Sequence, residues 1–308
     1  MAMIPYIQDP VRIYNNNGRT VAGFIGHSAG NMDATTVESF GKEWKKFDDF
    51  SDKDIKVAGD QYFDIASHLL SKETSVLDAG CGSGRWSAYI ADKVNFIEAI
   101  DPSEAIFSAS VRYQSIPNIR WTQAEINNLP FADNSFDFVM TLGVLHHIPD
   151  TFSALSSIVQ KIKPGGNLLV YLYYSLDNRG GAYRFLFFLS NQFRRLISGM
   201  PLWMKHFSCD VIACLVYFPL ISISRFVKFL FPRKNWFRKL PLSYYNDKNF
   251  KIARNDALDR FGTPLEKRFS RNQIHQMLSD SGLEEIVFSE HEPFWHAIAK
   301  KPNQNPDQ

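Results

Sequence analysis

The chain has 308 residues, a formal net charge of +2, 45% hydrophobic and 21% charged residues, the composition of a globular protein that buries a real core in one large domain with an elaboration or in two small ones. Its three cysteines, Cys81, Cys209 and Cys214, have no regular spacing, which excludes a disulfide framework and a zinc pattern and fits free thiols in a reducing cytosol. No basic start followed by an apolar stretch opens the chain, so no signal peptide is expected. The longest uncharged apolar run, 211–224, is shorter than the about 20 residues that a membrane span needs, so no transmembrane helix is expected.

Residues 1–33 are rich in Asn, Gly and Pro without a sustained period and read as an arm with turns. Residues 34–70 read as helical: Thr35 and Thr36 can cap, and Phe40, Trp44 and Phe47 recur at spacings of four and three, on one face. From residue 75, short β-rich runs (75–79, 96–100, 119–123, 136–141, 168–173) alternate with helical stretches (85–93, 103–113, 151–162). Such alternation predicts βαβ units and a parallel sheet. The runs are apolar throughout, as expected of strands covered on both faces. After Tyr174 the alternation stops, and 182–239 is dense in aromatic and basic residues. A helix near 271–281 ends at Gly282, and strands near 284–289 and 295–300 form a hairpin across the turn at 291–293.

The expected fold class is α/β: a Rossmann-like doubly wound sheet with a C-terminal antiparallel hairpin, an N-terminal helical cap and an α-helical insertion after the fifth strand. The expected domains are an arm and cap (1–70), a cofactor-binding core (71–178), a basic and aromatic insertion (179–250), a C-terminal helix and hairpin completing the core (251–301), and a polar, disordered tail (302–308).

The strongest motif is VLDAGCGSGRW, residues 76–86. A buried strand ends at Asp78, then Gly80, Gly82 and Gly84 follow, and a helix begins near Arg85. Glycines let the backbone turn sharply and approach a ligand closely, and a helix start presents unpaired N–H groups. The next strand ends at Asp101, about 20 residues on, where an acid can accept hydrogen bonds from both hydroxyls of a ribose; a helix N-cap is its other role. Glu125 ends the third strand. Ligands of open α/β sheets bind outside the carboxyl ends of the strands, and all three acids face that edge. This pattern admits a nicotinamide dinucleotide or adenosylmethionine. A carboxylate at Asp78 would repel a pyrophosphate and suits a cationic ligand bearing an ammonium group.

From residue 75 to about 174 the chain resembles the class I S-adenosylmethionine-dependent methyltransferases, in particular the type 11 group. The resemblance rests on VLDAGCGSG (76–84), AIDPS (99–103), AEINNLPFADNSFDFV (124–139), GVLHHIPD (143–150) and KPGGNLLVYLY (163–173). It implies S-adenosylmethionine as cofactor. Gly80, Gly82 and Gly84 would pack under its methionyl part, Asp78 would hold its amino group through water, and Asp101 its ribose hydroxyls. Glu125, where the family often has Asp, would contact the adenine amino group, Ile126 would flank the ring, and Leu142 would line the pocket. SFGKEWKKF (39–47) resembles a segment that folds over the active site in relatives, with Gly41, Glu43 and Trp44 closing it; a plain amphipathic helix is the other reading.

Methyl transfer needs the nucleophile and methyl held in line, water excluded, and sometimes a proton removed. His146 and His147, after the fourth strand, are candidate bases, with a cofactor-side role as the alternative. Tyr173, Tyr174, Tyr245 and His296, together with Tyr244 and His291, are candidates to line the acceptor pocket. No metal is expected. Residues 182–239 hold ten Lys or Arg and one acid, Asp210, a net of +9 that leaves −7 for the rest. Phe185, Leu189, Phe193 and Leu196 share one helical face, with Arg184, Asn191 and Arg195 on another; SRFVKFLF (224–231) is a second amphipathic stretch. Basic amphipathic helices with aromatics can lie in a membrane interface. A helical lid with a solvated basic rim, and a lid that also makes peripheral membrane contact, both stay open.

The expected function is therefore methyl transfer to a small-molecule or glycan substrate, with O-methylation of an anionic, nucleotide- or lipid-phosphate-linked sugar as the default. The expected location is the cytoplasm, free or peripheral at the inner face of the membrane. The sequence also resembles unassigned methyltransferases of bacterial surface-polysaccharide pathways. No nucleic-acid partner is expected, and the oligomeric state is left open. An NAD-dependent oxidoreductase on the same fold and a non-catalytic peripheral membrane protein with a degenerate cofactor fold are the alternatives.

Overall fold

The computed structural model describes residues 3–16, 18–26, 30–44, 51–234 and 236–303. The chain divides into an α/β unit, Met1–Asp177 with Leu265–Gln308, and a helical unit, Asn178–Pro264. The N-terminal arm is more than turns: β1 (Arg12–Asn16) and β2 (Arg19–Gly23) form an antiparallel hairpin. Two helices follow, α1 (Ala34–Trp44) and α2 (Asp52–Tyr62), the second capped by Ser51, whose side chain accepts from the Asp54 N–H. The face proposed for Phe40, Trp44 and Phe47, and the side chains of Glu43 and Trp44, lie outside the described residues.

The alternating run then appears as β3 (Ser75–Ala79), α3 (Arg85–Ile90), β4 (Phe96–Ile100), α4 (Ala105–Arg112), β5 (Ile119–Gln123), β6 (Phe136–Leu142), α5 (Thr151–Lys161) and β7 (Ile162–Tyr171). Four helices form the other unit: α6 (Gly181–Ser198), α7 (Leu202–Ile212), α8 (Phe218–Leu230) and α9 (Phe250–Gly262). The chain returns with α10 (Arg271–Asp280), β8 (Glu284–Phe288) and β9 (His296–Lys300). A capping box of Ser270 and Gln273 starts α10, and Gly282, at φ 80°, follows its end.

Among the described residues, nine strands form one sheet in the order β1-β2-β5-β4-β3-β6-β7-β9-β8. Strands β2 through β7 run parallel in it, while β9 pairs antiparallel with both β7 and β8. Successive strand residues point to opposite faces, and both faces are buried: Leu77, Val139 and Leu168 belong to one apolar cluster, Val76, Met140 and Leu169 to the other. Strand order reverses at β3, which lies between β4 and β6. That reversal is the topological switch point, where open α/β sheets leave a crevice for ligands.

In the helical unit, Cys209, Ala213, Tyr217 and Ile221 cluster with Ala253, Ala257 and Phe261. The stripe Ala253, Ala257, Phe261 lies on α9, so this helix belongs to the insertion. The boundary falls at 264, not at 250 as the sequence pattern suggested. A π-helical turn at Ala213–Tyr217 joins α7 to α8, making one continuous helix, Trp203–Leu230, despite Pro219. Pro219 sits in the first turn of α8, beside the π turn, where the irregular ladder accommodates its missing N–H. The helix is 28 residues long and apolar enough to cross a bilayer by length and composition, which the uncharged run alone did not suggest. The amphipathic face of α6 is present but turned outward: Phe185, Leu189, Phe193 and Leu196 are exposed. Arg194 is buried instead, donating to the carbonyls of Thr263 (3.0 Å) and Pro264 (3.4 Å) and to Asn191 Oδ1 (2.9 Å).

Candidate active site

The glycine loop links β3 to α3 through three residues in the left-handed region: Gly80 at φ 88°, Gly82 at 52° and Gly84 at 74°. Two of them are demanded by the protein's own packing. A Cβ on Gly80 would lie 2.5 Å from Val144 Cγ2, and one on Gly84 2.5 Å from Trp121 Cη2. The amides of Gly80 and Cys81 both donate to the Ile100 carbonyl, at 2.9 and 2.8 Å, which ties the loop to the end of β4. Cys81 is buried and reduced, and burial pushes its thiol pKa well above the ordinary value.

Three carboxylates end three neighbouring strands. Asp78, on β3, is buried and accepts from Ser87 Oγ at 2.6 Å. Burial, reinforced by Asp101 and opposed by Ser87, pushes its pKa up to about 7. Asp101, after β4, accepts from the Gly82 N–H at 2.9 Å on one oxygen; its other oxygen accepts from the Ser103 N–H (2.9 Å) and hydroxyl (2.5 Å). Burial raises its pKa and these three donors lower it, the net being upward. Each carboxylate oxygen can accept two hydrogen bonds, so Oδ2 keeps capacity for one more donor, such as a sugar hydroxyl. Asp101 thus works as loop anchor and helix-start acceptor, with one acceptor position left over. Glu125, after β5, is half-buried with its pKa raised by burial alone, and its carboxylate has no hydrogen-bond partner among the described residues.

The N-terminal arm closes on this last acid. A Cβ on Gly30 would stand 2.1 Å from Glu125 Oε2. Asn31 donates to Asn127 Oδ1 (3.0 Å) and to the Asp150 carbonyl (2.7 Å), and accepts from the Asp150 N–H (2.7 Å). An open hollow of about 410 Å³, lined by Gln8, Asp9, Phe24, Gly30, Glu125 and Asn127 among others, lies on the arm side of Glu125. Gly41 of α1 approaches Ser103 and Glu104, with its hypothetical Cβ 3.4 Å from each. Ile126 and Leu142 are buried apolar residues behind the strand ends.

His146 and His147 occupy a short turn after β6. His146 is fully buried, its ring stacked 3.8 Å from that of Tyr173. Its Nδ1 accepts from the Tyr173 N–H at 3.3 Å, so the neutral ring carries its proton on Nε2, a buried atom without a partner among the described residues. Burial, then the nearby His147 and Arg268, hold its pKa well below the ordinary value. His146 is therefore a hydrogen-bond donor through Nε2, which corrects its reading as a base. His147 has the opposite tautomer: Nδ1 donates to the Leu265 carbonyl at 2.7 Å, which leaves Nε2 as its basic nitrogen. The Lys267 N–H donates to the His146 carbonyl at 3.0 Å. Residues 265–267 thus brace the pair from far along the sequence, where nothing in the spacing pointed to them.

The candidate acceptor residues do not converge. Tyr173 and Tyr174 are adjacent on extended chain and face opposite ways. Tyr173 lies on His146 and Tyr174 against Phe294, with ring centroids 5.8 Å apart in the second pair. His296 is fully buried, with Nδ1 2.8 Å from the Pro293 carbonyl and Nε2 2.7 Å from Asp64 Oδ1. It is a structural tie, not a pocket wall. His291 is exposed in the hairpin turn. Tyr245 lies in the helical unit, its hydroxyl donating to Asp256 at 2.6 Å, and Tyr244 there is exposed under the Lys248 ammonium. Tyr171 and Tyr62 were not anticipated. Tyr171 lies 6.1 Å from Tyr173 on the same side of β7, and Tyr62 lies 5.2 Å from Tyr171 and 4.9 Å from Trp86. The period of two along β7 was the signal for Tyr171.

A family model described as a methyltransferase domain matches residues 77–170. An uncharacterised methyltransferase of Mycobacterium bovis is 36% identical over 107 residues, 34% of this chain and 54% of that protein. A demethylmenaquinone methyltransferase of Listeria welshimeri is 33% identical over 106 residues, 32% of this chain and 44% of that protein. The chain thus spans about half the length of the curated relatives it matches. Among solved structures, an S-adenosylmethionine-dependent methyltransferase of Aquifex aeolicus aligns over 84% of this chain and 96% of its own, with 15% identity and a TM-score of 0.46. Within the α/β unit, residues 77–170 are thus similar to a methyltransferase domain.

Proposed function

We propose that the protein transfers a methyl group from S-adenosylmethionine to an oxygen of an anionic sugar-like acceptor, one linked to a nucleotide or to a lipid phosphate. The observation that carries the cofactor side is the row of Asp78, Asp101 and Glu125 on the ends of β3, β4 and β5. The cofactor is cationic at its sulfonium and ammonium groups and presents ribose hydroxyls and an adenine amine. Asp101 retains an acceptor position, and the Glu125 carboxylate, without a hydrogen-bond partner among the described residues, is suited to an amine donor. A pyrophosphate-bearing dinucleotide would meet the same carboxylates with repulsion.

When bound, the cofactor supplies an already activated methyl carbon. The residues of this chain then have three tasks: to hold the acceptor hydroxyl in line, to exclude water, and to take its proton. His147 Nε2 is the basic nitrogen for that last step. His147 would take the acceptor hydroxyl's proton as that oxygen is methylated. The excess of basic residues in 182–239 supports an acceptor bearing phosphate. This reading carries with it a cytoplasmic location and a place in surface-polysaccharide assembly.

Titration calorimetry tests the cofactor side. The native protein is expected to bind S-adenosylmethionine, and Asp101→Ala to weaken binding at least ten-fold, since a hydrogen bond to a charged group contributes about 1.5–3 kcal/mol. Undiminished binding by Asp101→Ala, or none by the native chain, overturns the assignment. Mass spectrometry of cell extract treated with enzyme and cofactor identifies the acceptor, as a product heavier by one methylene unit.

A further inference from the structure

Among the described residues, 27 large apolar side chains stand exposed, and 20 of them fall between Tyr183 and Tyr244, in the helical unit. Exposed apolar area of that density in one region marks an interaction surface. On the continuous helix it is ordered. Trp203, Phe207, Val211, Leu215 and Phe218 recur every three or four residues, which puts them on one face. Phe226 and Phe229 follow beyond the π turn. Trp203 and Leu215 are each 72% exposed, Phe207 68% and Phe229 81%. The buried side of the same helix (Cys209, Ala213, Tyr217, Ile221) is already taken by α9.

Charge decides what fits the outward face. The exposed cations Arg184, Arg195, Arg233, Lys234 and Arg238 accompany it. The one acid in 182–239, Asp210, is held by Arg254 through two bonds of 2.5 and 2.7 Å. Large aromatics interleaved with cations match an anionic lipid surface, whose acyl boundary takes the rings and whose phosphates take the guanidinium and ammonium groups.

The same contacts argue against a span. The side of the helix facing α9 carries the Asp210–Arg254 pair and the buried Lys205, which donates to the Gly262 carbonyl at 3.3 Å. Arg254, Asp256, Asp259 and Arg260 ride on α9 itself. A spanning orientation would carry these charges into hydrocarbon, whereas a helix lying in the interface keeps them on its wet side. We infer that the helical unit is a docking element for anionic membrane surfaces, with the Trp203–Leu230 helix lying in the plane of the membrane. This inference is independent of the methyl-transfer reading.

The test is flotation of the full chain through a density gradient, with vesicles of phosphatidylcholine alone or of phosphatidylcholine mixed with phosphatidylglycerol. The chain is expected to float with the mixed vesicles, to float less at high salt, and to be released by alkaline carbonate. Phe207→Ser combined with Phe229→Ser should lower partitioning at least ten-fold. Arg233→Ser and Lys234→Ser should lower it about five-fold each. All four side chains are solvent-exposed, and an unchanged circular dichroism melt certifies each variant. Failure to float with the mixed vesicles, or flotation indifferent to the Arg233 and Lys234 variants, overturns the inference. So does resistance to carbonate, which would indicate a span. A dimer in solution that the double Phe variant converts to monomer would assign the face to a second copy of the chain and overturn it as well.

Discussion

Asp78 is the residue whose state a ligand can change most directly. Burial pushes its pKa from 3.8 up to about 7, so near neutral pH the carboxyl is partly protonated. An ammonium group brought close favours the carboxylate. Cofactor binding should then release protons below about pH 7, and affinity should rise with pH until Asp78 is ionised. Calorimetry in two buffers of different ionisation heat measures that release, and Asp78→Asn should abolish it. The sign for stability runs the other way. A carboxyl whose folded pKa lies above its unfolded value favours the folded state at low pH, and that contribution fades as pH rises from about 4 to about 7. Glu98 adds to the trend. It is buried on β4 between Arg120 (2.6 Å) and the Thr122 hydroxyl (2.5 Å), and burial, only partly offset by those partners, pushes its pKa to about 7. The ligand-free protein should melt at a higher temperature at pH 5 than at pH 7, read by circular dichroism. A rise in melting temperature over that interval would show that neither carboxyl is held protonated.

The β3–α3 element can be tested through one glycine. An alanine at Gly84 would hold a left-handed φ of 74° and drive its Cβ to 2.5 Å from the fully buried Trp121. Left-handed strain and overpacking together should cost about 2–4 kcal/mol. Gly282 is the control. It has φ 80° with nothing near its hypothetical Cβ, so its alanine variant should lose only about 1–2 kcal/mol. Urea unfolding compares the two, and equal losses would mean that Trp121 does not clamp the loop. The strands around this element were legible because burial on both faces leaves β3 and β4 largely apolar, and with the more polar β5 their bounds were read to the residue. The hairpin β1–β2 was not, because Arg12–Asn16 is polar and Asn-rich, as an edge strand can be; the dipeptide Asn17-Gly18 was its one turn signal. Helix α9 was misassigned because Arg254, Asp256, Asp259 and Arg260 mask its buried stripe of two alanines and a phenylalanine. The acids of the candidate site were legible from strand ends alone. The burial of His296 and the opposed faces of Tyr173 and Tyr174 are tertiary facts that no local spacing encodes.

At the scale of the whole molecule, the two units have separate cores. Two large clusters fill the faces of the sheet, and a third lies wholly within 197–261. The helical unit is inserted in the α/β unit, yet its unfolding need not unravel the host. Leaving a flexible loop on the order of 90 residues adds only a slowly growing closure entropy. Heating should therefore give two calorimetric transitions. A ligand that binds only the folded α/β unit, at about 100 times its dissociation constant, stabilises that unit by about 2.7 kcal/mol, roughly 5–10 °C at this size. S-adenosylmethionine should thus move one transition and leave the other in place. Phe261→Ala should do the reverse: it removes a buried aromatic from the helical core at a cost of about 3–5 kcal/mol, lowering the transition that the cofactor does not touch. A single transition that shifts as a whole with either perturbation would mean that the two cores fold as one cooperative body, and the insertion could then not be treated as a separable element.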